Sequence, residues 1–344
     1  MRILERSLAL CRRRPSTVLF PDGEDPRVIQ AALRLRREGV AMPLVLGNPR
    51  KLHEILSQVG RRGEALDVVD PANPELLARN AQDYQALMAE RGKPVGEREA
   101  ESAARCPLAA GCLIVRRGEA LAGIAGNISS TPDVMRAGLR ILGPAPGTRT
   151  ISGFFFMISP DGKKSYIYAD VGVIPEPTLD QLADISLSSA ACYRQMVEEE
   201  PHVALLSFST KGSAKHPRVD FMRQALELVR ARDPQLAVDG ELQFDAAFVP
   251  EVAESKAPGS KVAGKANVFI FPSLEAGNIA YKITERLGGY TALGPLLQGL
   301  NGGWHDLSRG CDADDVYMVA LIGMALEIER QRALRAGAGP KGGG

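Results

Sequence analysis

Residues 306–315, Asp306-Leu-Ser-Arg-Gly-Cys-Asp-Ala-Asp-Asp, set a hydroxyl (Ser308), a guanidinium (Arg309) and three carboxylates (Asp312, Asp314 and Asp315) about one glycine. An apolar run, 316–326, follows at once. Acidic residues directly before such a run belong at a helix N-terminus, where unpaired N–H groups and the helix dipole favour negative charge. One short segment thus offers a proton donor, a fixed positive charge and a base. Asp315 has a second, purely structural reading: with Asp312 as N-cap it stands at the third helical position, as in a capping box. His305, beside the segment, is either a base or a neutral ring that orients the loop.

A second candidate is Ser209-Thr210-Lys211-Gly212-Ser213-Ala-Lys215, which follows an apolar strand pattern and precedes a helical one. Small hydroxyl residues and a glycine at the carboxyl end of a parallel strand are where α/β folds hold ligands. Backbone N–H groups and two lysines there would suit phosphate, and a plain loop with a helix cap is the alternative. Arg136 and Arg286 lie in segments of helical spacing and are solvated surface arginines unless something else recruits them. The stretch Gly259-Ser-Lys-Val-Ala-Gly-Lys-Ala266 approaches a nucleotide P-loop but lacks the final hydroxyl, and a strand follows its glycines instead of preceding them. It reads as a tight loop feeding a strand.

The elements that must carry these groups alternate. Strands are expected at 17–20, 43–46, 113–115, 150–158, 166–173, 203–209, 268–271 and 290–293, and amphipathic helices at 26–37, 217–232 and 276–287. This alternation predicts an α/β fold with mainly parallel sheets. The run Phe154-Phe-Phe156, the turn Pro160-Asp-Gly162 and Tyr166-Ile-Tyr168 predict an antiparallel hairpin. Residues 142–147, rich in Pro and Gly, form the linker candidate. A chain of 344 residues exceeds what one core usually supports. A net charge of +1 gives no reason to invoke nucleic acid or a membrane surface, and there is no uninterrupted apolar span. Five cysteines without metal-ligand spacing read as reduced thiols of a cytoplasmic protein.

Taken together, several segments resemble the phosphate acetyltransferases (phosphotransacetylases) and the wider phosphate acyltransferase family. They are Leu19-Phe-Pro-Asp-Gly-Glu-Asp-Pro-Arg27, Ser130-Thr-Pro-Asp-Val-Met-Arg136, Ser207-Phe-Ser-Thr-Lys-Gly-Ser-Ala-Lys215 and Asp239-Gly-Glu-Leu-Gln-Phe-Asp245, continued by Ser255–Gly259, Val262–Pro272, Gly277–Lys282, Gly294–Gly299 and Asp306–Cys311. The resemblance spans about 17–326. It implies reversible transfer of acetyl between coenzyme A and orthophosphate, with acetyl-CoA, CoA, phosphate and acetyl phosphate as substrates and no metal or redox cofactor. It also implies a homodimer and a fold like the isocitrate and isopropylmalate dehydrogenases: two α/β domains with an active-site cleft between them. Domain one would be discontinuous (1–147 with 295–334), domain two would take 148–294, and 335–344 would be a disordered tail. By the same resemblance Ser308, Arg309 and Asp315 fall on active-site positions, Arg136 and Arg286 on anion-binding ones, and the loop of Ser209, Thr210, Lys211, Gly212 and Ser213 on a substrate-facing one.

The chain departs from the family pattern at Met88, where an arginine is common and Arg91 is a candidate replacement for CoA binding. It departs also at Ser129 in place of histidine, at His305 in place of asparagine and at Gly302-Gly-Trp304. Competing possibilities are propionyl or butyryl transfer, and a serine acyl-enzyme formed through Ser308 and His305. An isopropylmalate-type dehydrogenase lacks its metal-site pattern here, and a non-catalytic acyl-CoA-binding regulator would not need the Ser308–Asp315 chemistry.

Overall fold

The computed structural model describes residues 2–60 and 63–335. Numbered in chain order, the strands are β1 Ser16–Phe20, β2 Ala41–Leu46, β3 Asp67–Val69, β4 Ala122–Ala125, β5 Ser152–Ile158, β6 Ser165–Ala169, β7 His202–Leu206, β8 Ala237–Leu242, β9 Val268–Ile270, β10 Thr291–Gln298 and β11 Gly303–Asp306. The chain divides into two compact units. One comprises Leu4–Ala145 and Leu300–Arg332, and the other Pro146–Gly299 with the described residues at the chain ends.

The first unit is built on a parallel sheet in the order β11-β4-β1-β2-β3. Val18, Leu19 and Phe20 of β1 and all of β4 are buried, as expected for strands covered on both faces by helices. The flanking helices start on one device: Asp25, Asn48, Asn73 and Ser130 each accept a backbone N–H as N-cap, and a proline stands in the next two positions. Proline there loses no helical bond and pre-sets φ. Helix Ala313–Arg335 is buried almost continuously from Val316 to Ile328. Trp304 of β11 is fully buried and donates its indole N–H to the Val134 carbonyl at 3.1 Å. A Cβ on Gly123 would stand 2.4 Å from that ring, so only glycine fits beside it.

The second unit carries a mixed sheet in the order β10-β5-β6-β9-β7-β8. The β5–β6 hairpin is antiparallel, as is β10 on β5, and the remaining pairs are parallel. Tyr166, Tyr168 and Phe269 pack its core, and Phe155 stacks on Tyr281 at 4.4 Å between ring centroids. Helix Leu179–Val197 opens with a complete Thr178/Gln181 capping box.

Three expectations are corrected. Residues 113–115 lie in helix Pro107–Arg116, nearly all of it buried, so its apolar run lacks the period that would mark a helix. The return to the first unit falls after Gly299 and not after Gly294, because Leu296–Gln298 still pair with β5. Arg335 ends a helix, and the rest of the expected tail lies outside the described residues. Among the described residues no helix is long and apolar enough to cross a membrane.

Candidate active site

Adjacent strands β11, β4 and β1 of the first unit run parallel, so their carboxyl ends deliver three loops to one edge of the sheet: 307–312, 126–130 and 21–25. Ser308 and Arg309 are exposed on the first of these loops. The Ser308 hydroxyl oxygen accepts the Gly310 N–H at 3.2 Å, and its carbonyl accepts the Cys311 N–H at 3.0 Å, closing a turn. Asp315 sits in the first turn of helix Ala313–Arg335. It forms both halves of a capping box: the Asp312 N–H donates to Asp315 Oδ2 at 3.0 Å, and the Asp315 N–H donates to Asp312 Oδ1 at 2.9 Å. The box spends Oδ2, and the residue is only half-buried.

Arg27 fastens this arrangement. Its guanidinium forks onto Asp25 (2.6 Å from Nη2 to Oδ2) and also donates to the carbonyls of Asn127 (3.0 Å), Arg309 (2.9 Å) and Cys311 (2.7 Å). Burial alone would raise the Asp25 carboxyl, but Arg27 and Asn127 hold it below the usual carboxylate range. Asp22 supports the 126–130 loop by accepting the N–H groups of Gly126 (2.9 Å), Ile128 (3.2 Å) and Ser129 (3.0 Å), and the Ser129 hydroxyl at 2.6 Å. Asp306, buried at the end of β11, accepts the Thr131 hydroxyl at 2.6 Å. Burial pushes its carboxyl up to about 6, against the Thr131 bond and with the charge of Asp22 adding to the rise.

Sequence reasoning assigned no role to Asp22, Arg27 or Asp306. Their partners lie 100 to 284 residues away in the chain, and the only local signal was the run of polar residues directly after a strand.

His305 is not available as a base. Its ring packs against helix Ala313–Arg335, where a Cβ on Gly323 would stand 2.4 Å from the imidazole. Burial pushes its pKa down to about 4, so the ring is neutral. Ser308 itself is exposed, while His305 is buried. Cys311 is buried and its thiol is pushed up to about 11, chiefly by that burial.

Of the arginines, Arg136 projects from helix Thr131–Ile141 with its side chain 68% exposed and paired to Asp133. Arg91 caps helix Pro74–Glu90 and donates to the carbonyls of Leu139 (3.2 Å), Arg140 (2.6 Å) and Ile141 (3.2 Å). It therefore staples the C-terminal turn of the Arg136 helix, while Met88 itself is buried.

The remaining candidates belong to the second unit. Arg286 ends helix Leu274–Arg286 with its side chain 80% exposed, 3.4 Å from Glu285. The 209–213 loop follows β7, as expected, but its donors are not free for phosphate. The Ser209 hydroxyl (2.9 Å) and the Gly212 N–H (2.7 Å) both donate to Glu241 Oε1, while Lys211 Nζ bonds Asp239 and the Gly240 carbonyl. The Ser213 hydroxyl accepts the Thr210 N–H at 3.0 Å, and the Gln243 N–H donates to the Thr210 hydroxyl at 2.9 Å. Lys211 and Gly212 take left-handed φ of 48° and 83°, which turns the loop over that carboxylate. Burial would raise Glu241, but the Gly212 N–H, Arg223 and Ser209 hold it below the usual range. The expected anion cradle is already occupied by the chain's own anions.

Residues 2–324 match the family model described as phosphate acetyl/butaryl transferase. The chain is 40% identical over 326 residues to a phosphate acetyltransferase of Acetivibrio thermocellus, covering 94% of this chain and 97% of the relative. It superposes on a phosphotransacetylase from Streptococcus pyogenes with a TM-score of 0.89 at 38% identity, covering 95% and 98% of the two chains. A branched-chain phosphotransacylase from Enterococcus faecalis shares the fold at a TM-score of 0.66 and 17% identity, over 91% and 99% of the two chains. With the match running through both α/β units and through the 308–315 segment, the chain belongs to the phosphate acetyl/butaryl transferase family.

Proposed function

We propose that this chain transfers acetyl reversibly between acetyl-CoA and orthophosphate, giving acetyl phosphate and CoA. The observation that carries the proposal is the 308–315 segment. It presents an exposed hydroxyl and an exposed guanidinium beside a carboxylate at the carboxyl edge of a parallel sheet. The loop behind them is tied in place through Arg27. Preference for acetyl over longer acyl chains is supported by 40% identity to an acetyltransferase, against 17% to a branched-chain enzyme.

A CoA thiol has an ordinary pKa of about 8.5, so at neutral pH only a few per cent is thiolate. Asp315 takes the thiol proton through Oδ1, the oxygen its capping bond does not use. The thiolate attacks the carbonyl of acetyl phosphate directly, in a ternary complex. Arg309 stabilises the charge that develops on the carbonyl oxygen or on the departing phosphate, and Ser308 donates one more hydrogen bond. Arg136 and Arg286 hold phosphate, and their contribution to the reverse attack is proximity. Proton transfer and anion stabilisation are within reach of these side chains, so the proposal includes no metal or redox cofactor. The two-domain arrangement of the isocitrate and isopropylmalate dehydrogenases belongs to the same proposal, supported by a separate sheet in each unit. So do the homodimer and the cytoplasmic location.

The test is thiol release from acetyl-, propionyl- and butyryl-CoA with and without phosphate. Phosphate-dependent release, fastest with acetyl-CoA, is expected. Equal or faster turnover of butyryl-CoA would overturn the substrate, and release without phosphate would overturn the reaction.

A further inference from the structure

The two groups of the first unit that the proposed reaction uses most differently are Arg136, for holding phosphate, and the Ser308–Arg309 pair, for the reacting carbonyl. They stand on separate elements: Arg136 on helix Thr131–Ile141, and Ser308 and Arg309 on the loop after β11. Strand pairing fixes β11 beside β4 only as far as Asp306 and Ala125. Beyond those residues the chain must secure the loops by side chains.

Two side chains of β11 bond to the Arg136 helix: Trp304, through the Val134 carbonyl, and Asp306, which stands nearer the Ser308 loop. Asp306 is the last residue of β11 and lies two positions before Ser308. Its Oδ2 accepts the hydroxyl of Thr131, the first residue of the Arg136 helix, at 2.6 Å. The 126–130 loop passes directly over the other oxygen. Gly126 has a φ of 107°, and a Cβ there would stand 2.2 Å from Asp306 Oδ1, so the close approach depends on glycine. On the far side of the same loop, Asp22 accepts four donors from residues 126–129. Two buried carboxyl groups therefore grip one loop, and one of them latches it to the strand that leads into Ser308.

A carboxyl group in such a place is costly. Burial with a second carboxylate nearby destabilises the charged form, and an apolar side chain would fill the volume without that cost. What an apolar residue cannot do is accept the Thr131 hydroxyl. We propose that Asp306 is a positioning residue for acetyl transfer, holding the Ser308–Arg309 loop and the Arg136 helix as one body through the hydroxyl of Thr131. This rests on the roles proposed above for those three residues. Misplacement of a reacting group by about 1 Å costs on the order of 10²-fold in rate, so a loosened latch should act on turnover more than on folding.

The experiment is a set of three variants. Thr131→Val keeps the shape and removes the donor, Thr131→Ser restores the donor, and Asp306→Asn keeps an acceptor at the same place. The expected results are a fall of roughly 10- to 100-fold in kcat for Thr131→Val with a raised phosphate KM, and recovery to near the wild-type values in Thr131→Ser. Asp306→Asn should stay within a few-fold of wild type. Thr131→Val with unchanged kinetics, or Thr131→Ser as impaired as Thr131→Val, overturns the latch. Amide hydrogen exchange gives a readout that needs no activity: in Thr131→Val, residues 126–131 and 307–311 should exchange faster together, and Thr131→Ser should reverse both. Exchange that changes at 126–131 alone also overturns the latch. A wild-type protein that fails to release CoA from acetyl-CoA with phosphate overturns the reaction instead, and leaves the exchange result to judge the latch. Should Thr131→Val not fold, Thr131→Ala, which also removes the donor to Asp306, takes its place: slowed turnover with faster exchange at both 126–131 and 307–311 supports the latch, and unchanged kinetics and exchange overturn it.

Discussion

Asp315→Asn separates two duties that the structure assigns to one carboxylate. In the capping box, Asp315 Oδ2 accepts the Asp312 N–H at 3.0 Å, and the amide oxygen of asparagine can accept the same bond. What disappears is a negative charge in the first turn of helix Ala313–Arg335, worth about 0.3–1 kcal/mol at an exposed helix N-terminus. Complete loss of a cap would cost about 0.5–2 kcal/mol. The Asn variant should therefore melt within a few degrees of wild type. As a base, by contrast, asparagine cannot take the thiol proton at all, and general-base catalysis contributes roughly 10²–10⁴-fold. The measurement is turnover of acetyl phosphate and CoA with purified, folded variant, alongside a thermal melt. A well-folded Asp315→Asn that retains more than about a tenth of wild-type turnover, a loss smaller than the least expected for a general base, would refute the catalytic role and leave Asp315 as a cap.

Three further outcomes are expected. Arg136→Gln and Arg286→Gln should each raise the phosphate KM strongly with no loss of melting temperature, since both side chains are mostly exposed; an unchanged KM in both returns them to ordinary surface. Arg91→Ala should destabilise the protein by about 1–3 kcal/mol, because it removes the donor for three helix-end carbonyls; a raised CoA KM without loss of stability would instead support a role in CoA binding. His305→Asn should remain active, and it should reduce acid lability. A ring whose pKa falls from 6.5 to about 4 on folding contributes stability that is present above about 6.5 and lost as pH falls toward 4, to the extent of about 3 kcal/mol. Asp306 acts in the opposite sense over a similar range, since its raised pKa favours the folded state at low pH and that gain is lost as pH rises through about 6. The difference between wild type and His305→Asn, followed by denaturant melts from pH 4 to 7, isolates the histidine. A pH-independent difference would refute its assignment as buried and neutral.

How much of this was legible depended on whether the signal was local. Helices Pro26–Arg37 and Pro217–Arg232 could be read to the residue because a cap and a proline mark each start and the apolar period carries them on. Helix Pro107–Arg116 could not, since a segment buried on every side has no polar face to set the period. β4 is only Ala-Gly-Ile-Ala, with Gly123 small for the sake of Trp304. β8 hides among charges, because Asp239 and Glu241 are buried in bonds to Lys211, Arg223, Arg230 and the 209–213 loop. In the candidate site, Ser308, Arg309 and Asp315 share one short segment and could be singled out. Asp22, Arg27 and Asp306 exert their effect on loops more than a hundred residues away, which spacing along the chain does not reveal.

Glu241 gives the second unit a built-in surrogate ligand. The 209–213 loop is folded around an anion that can never dissociate, so it is held in its bent shape at any concentration of substrate and has little ordering left to undergo. A phosphate approaching the loop therefore meets donors that are already engaged. Sequence alone cannot distinguish a loop built to receive phosphate from one that carries its own counter-charge, because both need the same hydroxyls, glycine and lysine. The difference lies in the strand next door.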